Sequence, residues 1–149
     1  MEEWSSFYKD ENWQLYPDVP DAFNMVKKLG LKTVIVTSIA KFMYIKALKP
    51  ILDNVDLLVD AFTFHCEKSN SKFYWETLKT LKMKPEQAVI IGDEEDVDIL
   101  LPKRLGMRAI FLDRAGKVQK ILFEVEPDAI ANNLMEGVQI VENWIMHGR

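Results

Sequence analysis

Three runs of apolar and β-branched residues constrain this chain more than any other feature: Thr33-Val34-Ile35-Val36, Ala88-Val89-Ile90-Ile91 and Ala109-Ile110-Phe111-Leu112. None alternates apolar with polar, so each suits a strand covered on both faces, the situation of parallel strands under helices. Leu57-Leu58-Val59 reads as a fourth such strand. The stretches between them carry apolar residues at helical spacing. Ala22, Phe23, Val26 and Leu29 form one stripe, with Pro20 suited to a first turn and Gly30 to the position just past the end. Tyr74, Leu78 and Leu81 form another, a helical stretch is expected around Phe42 to Leu52, and a further helix runs to about Leu105 with Gly106 as its stop. After Pro127, the 4-4-3-4 spacing of Ile130, Leu134, Val138, Val141 and Ile145 predicts a last amphipathic helix. Helices and strands alternating with short connections predict an α/β fold, a mostly parallel sheet covered by helices.

A chain of 149 residues, 48% hydrophobic, is long enough for one buried core and too short for two ordinary ones, so a single domain is expected over residues 18–149. Residues 1–17 differ. Trp4, Phe7, Tyr8, Trp13 and Tyr16 stand among polar residues with no sustained period, as in a packed arm. The lone Cys66 excludes an intramolecular disulfide, and no zinc-like spacing surrounds it, so a reducing, cytoplasmic setting is expected. Residues 1–12 lack the charged and apolar stretches of a signal peptide, and no apolar run approaches a membrane span. A net charge of −4 without a basic stripe argues against nucleic acid as a partner and leaves small anionic substrates open.

Ligands of open parallel sheets sit beyond the carboxyl ends of the strands. Thr37 and Ser38 follow Val36, Lys68 follows the loop after Val59, Gly92-Asp93-Glu94-Glu95-Asp96-Val97-Asp98 follows Ile91, and Asp113-Arg114 follows Leu112. A hydroxyl, an ammonium and a carboxylate cluster suit a phosphate with a divalent metal, since the first two bind phosphoryl oxygens and carboxylates hold Mg²⁺.

In order and spacing these positions resemble the haloacid dehalogenase-like (HAD) superfamily. Thr37 in VIVTS matches its strand ending in Ser or Thr, Lys68 in EKSNSKFYWETL its lysine, and IIGDEEDVD its strand followed by Gly-Asp and a second Asp; the likeness runs from about Tyr16 to Trp144. The resemblance implies a three-layer, Rossmann-like core and a Mg²⁺ cofactor. Asp93 would coordinate the metal, and Asp98 would support it or orient a ligand. Thr37 would hydrogen-bond the phosphoryl group, with Ser38 and Gly92 beside it. Lys68 would offset its charge and position the nucleophile.

Each position also has a plainer reading. A Thr at a strand end serves most often as a turn residue, and a lysine is usually solvated surface. Glu95 and Asp96 read as helix N-terminal acids. His65 and His147 read as ordinary, and Cys66 as inert.

The resemblance has one gap. The family's nucleophilic Asp lies on its first strand, in an Asp-x-Asp-x-Thr pattern, and nothing before Thr37 matches; Asp10, Asp18 and Asp21 follow no apolar run. Asp60, after Leu57-Leu58-Val59, lies where the family has an ordinary strand, so it is set aside. The chain reads as starting inside the family's cap insertion, with residues 1–17 a remnant of it and most of the cap missing. By resemblance the sheet order is 5-4-1-2-3, so the missing strand is the central one, and its two neighbours would carry unpaired edges. Direct pairing of those neighbours, or a strand from another copy in a homo-oligomer, is the favoured repair. The arm is a poorer candidate, and a longer parent protein is the remaining one.

Two functions follow. One is a hydrolase acting on a small phosphorylated or halogenated substrate, with phosphatase favoured over dehalogenase because haloacid dehalogenation needs no Mg²⁺ and this chain keeps its acidic motif. The other is a catalytically silent HAD-like binding module or subunit. A phospho-accepting receiver built on Asp60 fails on motif order.

Overall fold

The structure is a computed structural model describing residues 14–40 and 43–148. Residues 1–13, most of the expected arm, lie outside the described residues, as does Phe42. The chain divides into two compact units, one ending at Lys68 and the other beginning at Ser69.

In the first unit, helix α1 (Val19–Lys28) starts on Pro20 and Asp21 and ends on Lys27 and Lys28, charges that oppose its dipole at both ends. Val19 and Ala22 are its buried residues. Gly30 has φ +75° and donates its N–H to the Lys27 carbonyl at 3.0 Å, a left-handed turn that glycine adopts without a Cβ penalty. Strand β1 (Val34–Val36) pairs in parallel with β2 (Leu57–Val59), Val34 opposite Leu57 and Val36 opposite Val59. The helix expected around Phe42 to Leu52 is replaced, over the described residues, by turns and a 3₁₀ helix (Lys49–Asn54). Pro50 accounts for the change: it has no N–H to donate to Lys46 and its ring crowds that carbonyl, so an α-helix crossing this point is broken, while a first-turn proline starts the 3₁₀ segment. Ile51 and Leu48 still bury their side chains.

The second unit opens on α2 (Ser71–Leu81), capped by Asn70, whose side chain accepts from the Lys72 N–H at 3.0 Å. Phe73, Tyr74, Thr77 and Leu78 form its buried face. Strands β3 (Val89–Gly92), β4 (Arg108–Leu112) and β5 (Ala129–Ala131) form a parallel sheet in the order β3-β4-β5. A π-wound segment (Glu95–Leu100) and the short helix α3 (Leu101–Leu105) connect β3 to β4, and Gly106 at φ +99° ends them as expected. Helix α4 (Leu134–Met146) lies close over β3: a Cβ on Gly137 would stand 3.2 Å from the Ile91 side chain.

β5 corrects the sequence reading, which ran the last helix from Ile130. Ile130 is instead the middle of a strand and 41% exposed, and the helix begins at Leu134 on its own cap, Asn133, whose side chain accepts from the Glu136 N–H at 2.8 Å. A strand of three residues leaves too short a pattern to show its period, and Ile130 fell at helical spacing by coincidence. Ile145, assigned to the buried stripe, is 50% exposed near the end of the helix.

Two aspartates finish the sheets in the same way. Asp56, just ahead of β2, donates its N–H to the Thr33 carbonyl at 2.8 Å and accepts the Thr33 N–H at 2.7 Å on its carboxylate. Asp128, just ahead of β5, does the same to Ala109, both at 2.8 Å. Each side chain thus continues a parallel ladder where the edge strand begins.

The described strands form two separate ladders, β1-β2 and β3-β4-β5, the second longer by one strand than the pair 5-4 of the expected order. Direct pairing of β1 with β3, one of the favoured repairs, is corrected: among the described residues each ladder closes within its own compact unit. Among the described residues no helix is long and apolar enough to cross a membrane.

Candidate functional site

β3 ends on Gly92 and delivers Asp93 and Glu94 at its carboxyl end, and the π-wound segment returns Asp98 to them. Carboxylate oxygens of Asp93, Glu94 and Asp98 lie within 4.8 Å of one another, the first two exposed and Asp98 buried at 3%. Two contacts place Asp98. Its Oδ2 accepts the Glu94 N–H at 3.0 Å while its own N–H donates to the Glu94 carbonyl at 2.9 Å. Its side chain also lies across Gly92 so closely that a Cβ there would stand 2.3 Å from its Cγ and Oδ2. Glycine at 92 is therefore a steric requirement of the Asp98 position.

The donor set is all carboxylate oxygen, the ligand chemistry of hard divalent cations. A cation at this point would draw its ligand oxygens from Asp93, Glu94 and Asp98. Glu94 was not singled out from the sequence. In a run of five acids among six residues, Asp93 to Asp98, nothing in composition shows which converge. Glu95 and Asp96 do stand in the first turn of the π-wound segment, as expected of helix N-terminal acids, but the carboxylate on the Glu94 N–H is that of Asp98.

Tyr74 borders this cluster from α2. It is 2% exposed, and its hydroxyl donates to the Val97 carbonyl. Burial first, then the negative charges of Asp98 and Glu94, push its pKa far above the usual tyrosine value and keep it a neutral donor. Asp113, beyond β4, is occupied otherwise: buried at 6%, it accepts the Lys117 N–H at 2.7 Å and the Val118 N–H at 3.1 Å, tying its own loop.

In the first unit, Thr37 continues the ladder past β1 by donating its N–H to the Val59 carbonyl at 3.0 Å, and its Oγ1 accepts the Ile39 N–H at 3.0 Å. It is a turn residue, as its plainer reading held, and a hydroxyl that accepts one proton retains its own O–H to donate. Ser38 beside it is exposed. Lys68 is 8% exposed, which overturns the reading of it as solvated surface; a lysine is almost never fully buried unless it is paired. Asp60 is also buried at 8%, with Oδ1 accepting the N–H groups of Phe62 at 2.9 Å and Thr63 at 3.1 Å and the Thr63 hydroxyl at 3.2 Å. Burial and the Asp60 charge raise the nearby Tyr44 to about 12.

The family description "haloacid dehalogenase-like hydrolase" matches residues 1–112. The chain is 29% identical over 136 residues to a phospholysine phosphohistidine inorganic pyrophosphate phosphatase of Xenopus laevis, covering 85% of this chain and 49% of that protein. It is 33% identical over 106 residues to a glyceraldehyde 3-phosphate phosphatase of Methanopyrus kandleri, covering 70% of this chain and 45% of the relative. A crystal structure of a HAD phosphatase from Thermococcus onnurineus superimposes with a TM-score of 0.75 at 28% identity, covering 86% of this chain and 58% of the other. The chain thus spans about half the length of the curated relatives it matches. With three parallel strands, a Gly-Asp turn and a second buried aspartate in the family's order, and a family match over residues 1–112, this chain belongs to the haloacid dehalogenase-like hydrolases.

Proposed function

We propose that this chain carries the metal-binding side of a Mg²⁺-dependent phosphatase acting on small phosphorylated compounds. The convergence of the Asp93, Glu94 and Asp98 carboxylates carries the reading. Like charges held this close repel by roughly 1 kcal/mol per pair even in water, and more where one is buried, so a cation at that point relieves a cost the fold otherwise bears. A dehalogenase makes no such demand. The resemblance to phosphatases at 29% and 33% identity supports the same substrate class.

Asp93 and Asp98, joined by Glu94, would hold the ion, and Gly92 admits the Asp98 side chain. Mg²⁺ when bound there neutralises phosphoryl oxygens. To the phosphoryl group we assign Thr37, with Ser38 beside it, as a hydroxyl donor, and Lys68 as an ammonium that would offset its charge. Lys68 stands two residues ahead of Asn70, whose capping of α2 fixes where the helix begins.

Isothermal titration with MgCl₂ tests the metal, and hydrolysis of an aryl phosphate tests the reaction. Mg²⁺ binding lost in Asp93→Asn is the expected result, and turnover lost in the same variant would add the reaction itself. Binding without turnover indicates the silent module, which the lack of an Asp-x-Asp-x-Thr match in this sequence favours as the second reading. No Mg²⁺ binding overturns both metal readings.

A further inference from the structure

Asp98 owes its place to an unusual piece of backbone. The segment Glu95–Leu100 is π-wound, and the Leu101 N–H reaches back five residues to the Asp96 carbonyl. Continued by one residue, the same winding would have residue 102 donate to the Val97 carbonyl, but residue 102 is proline and has no N–H. The α-helical alternative is taken as well, because the Leu101 N–H is already committed to Asp96. Val97, next to Asp98 in the chain, therefore has a carbonyl that its own helix does not serve.

The Tyr74 hydroxyl fills that vacancy from α2. The ring is packed at 2% exposure, edge-on to Phe73 with centroids 5.6 Å apart, so the donor is fixed in direction. Pro102 is likewise fully buried, which fixes the other end of the turn. A helix packed beside the acidic turn and a proline just past its end thus bear on one carbonyl.

We infer that Tyr74 is a positioning residue for the metal site: by supplying the hydrogen bond that Pro102 withholds from Val97, it locks the π-wound turn in the form that brings Asp98 to Asp93 and Glu94. The proposal rests on the reading of those carboxylates as a Mg²⁺ site. Tyr74 touches neither metal nor substrate in this role and acts through the backbone of its neighbour's turn.

The test is a set of Mg²⁺ dissociation constants, measured by titration calorimetry on the full 149-residue chain, with melting temperatures beside them. Tyr74→Phe should weaken Mg²⁺ binding about tenfold, the consequence of one lost hydrogen bond of ordinary strength. Pro102→Ala should restore the missing backbone donor. Alone it should leave the dissociation constant within about threefold of wild type, and combined with Tyr74→Phe it should return affinity to that range. A folded Tyr74→Phe chain with wild-type affinity and only a lower melting temperature would reduce Tyr74 to a core residue and overturn the proposal. So would a double variant no better than Tyr74→Phe, or one that fails to fold where the single variant fails, since the restored donor would then have rescued nothing. A wild-type chain with no Mg²⁺ binding sinks the metal reading first, and is told apart because it appears before any substitution.

Discussion

Asp60 and Asp98 are both buried aspartates beyond the end of a parallel strand, each near a buried tyrosine whose ionisation its charge opposes. Their surroundings differ in kind. Asp60 gathers donors: three hydrogen bonds from Phe62 and Thr63 converge on its Oδ1, all within three residues. Asp98 stands among acceptors: the Glu94 N–H reaches its Oδ2, and two further carboxylates lie within 4.8 Å. A carboxylate surrounded by its own turn's donors has its charge met locally and serves the fold. One placed against other carboxylates raises the energy of the empty site and favours a cation. Burial alone does not separate the two.

The largest effect that would break this contrast is Gly92→Ala. Its methyl would occupy the space of the Asp98 carboxylate, so either Asp98 leaves the cluster or β3 shifts. A loss of about 3 kcal/mol in urea unfolding is expected, together with loss of Mg²⁺ binding. A stable variant that still binds Mg²⁺ would show that the close approach of Asp98 to Gly92 is dispensable.

Next comes the pair Asp98→Asn and Asp60→Ala. In saturating Mg²⁺, at about 100 times its dissociation constant, the wild-type chain should gain about 2.7 kcal/mol over its metal-free form. Asp98→Asn should lose that gain while metal-free stability changes little, because the amide oxygen retains an acceptor and a repelling charge is removed. Asp60→Ala should lose about 2 kcal/mol with or without Mg²⁺, because the Phe62 and Thr63 donors of its turn are stranded. Equal Mg²⁺ dependence in the two variants would erase the distinction between them.

The sequence displayed the strands better than the site. Val34–Val36, Val89–Gly92 and Arg108–Leu112 fall within a residue of the apolar runs, because short continuous apolar runs suit strands of a parallel sheet. The Gly106 stop was equally plain, since φ +99° leaves little but glycine. The edge strand Ala129–Ala131 was hidden because three residues show no period, and its pairing with β4 and the bonds of Asp128 to Ala109 are tertiary contacts that no local pattern encodes. Asp93 and Asp98 stood out in their motif. Glu94 did not, because the three-way convergence is built around a π-wound turn, with a proline just past its end and a hydroxyl from another helix on its backbone. The burial of Lys68 was invisible for a similar reason: sequence gives a lysine's chemistry without its surroundings.

The smallest expected effect compares the two tyrosines. Tyr74→Phe removes a hydrogen bond to Val97, whereas the buried Tyr44 hydroxyl has no hydrogen-bond partner among the described residues. Tyr44→Phe should therefore be neutral or stabilising by up to about 1 kcal/mol at pH 8, the opposite sign from Tyr74→Phe. The pH dependence follows from the raised pKa of about 12. Below pH 10 the phenol is neutral in both folded and unfolded chains, and its contribution is fully present. Between about pH 10 and 12 the unfolded chain ionises while the folded one resists, first because Tyr44 is desolvated and then because Asp60 repels the phenolate, so wild-type stability falls as pH rises through this window. Tyr44→Phe lacks that loss, and its advantage in urea unfolding should grow from pH 8 to pH 11. A Tyr44→Phe chain less stable than wild type at pH 8 would mean that the hydroxyl is held by a partner after all, and the environments of Asp60 and Asp98 would then differ less than their hydrogen bonds indicate.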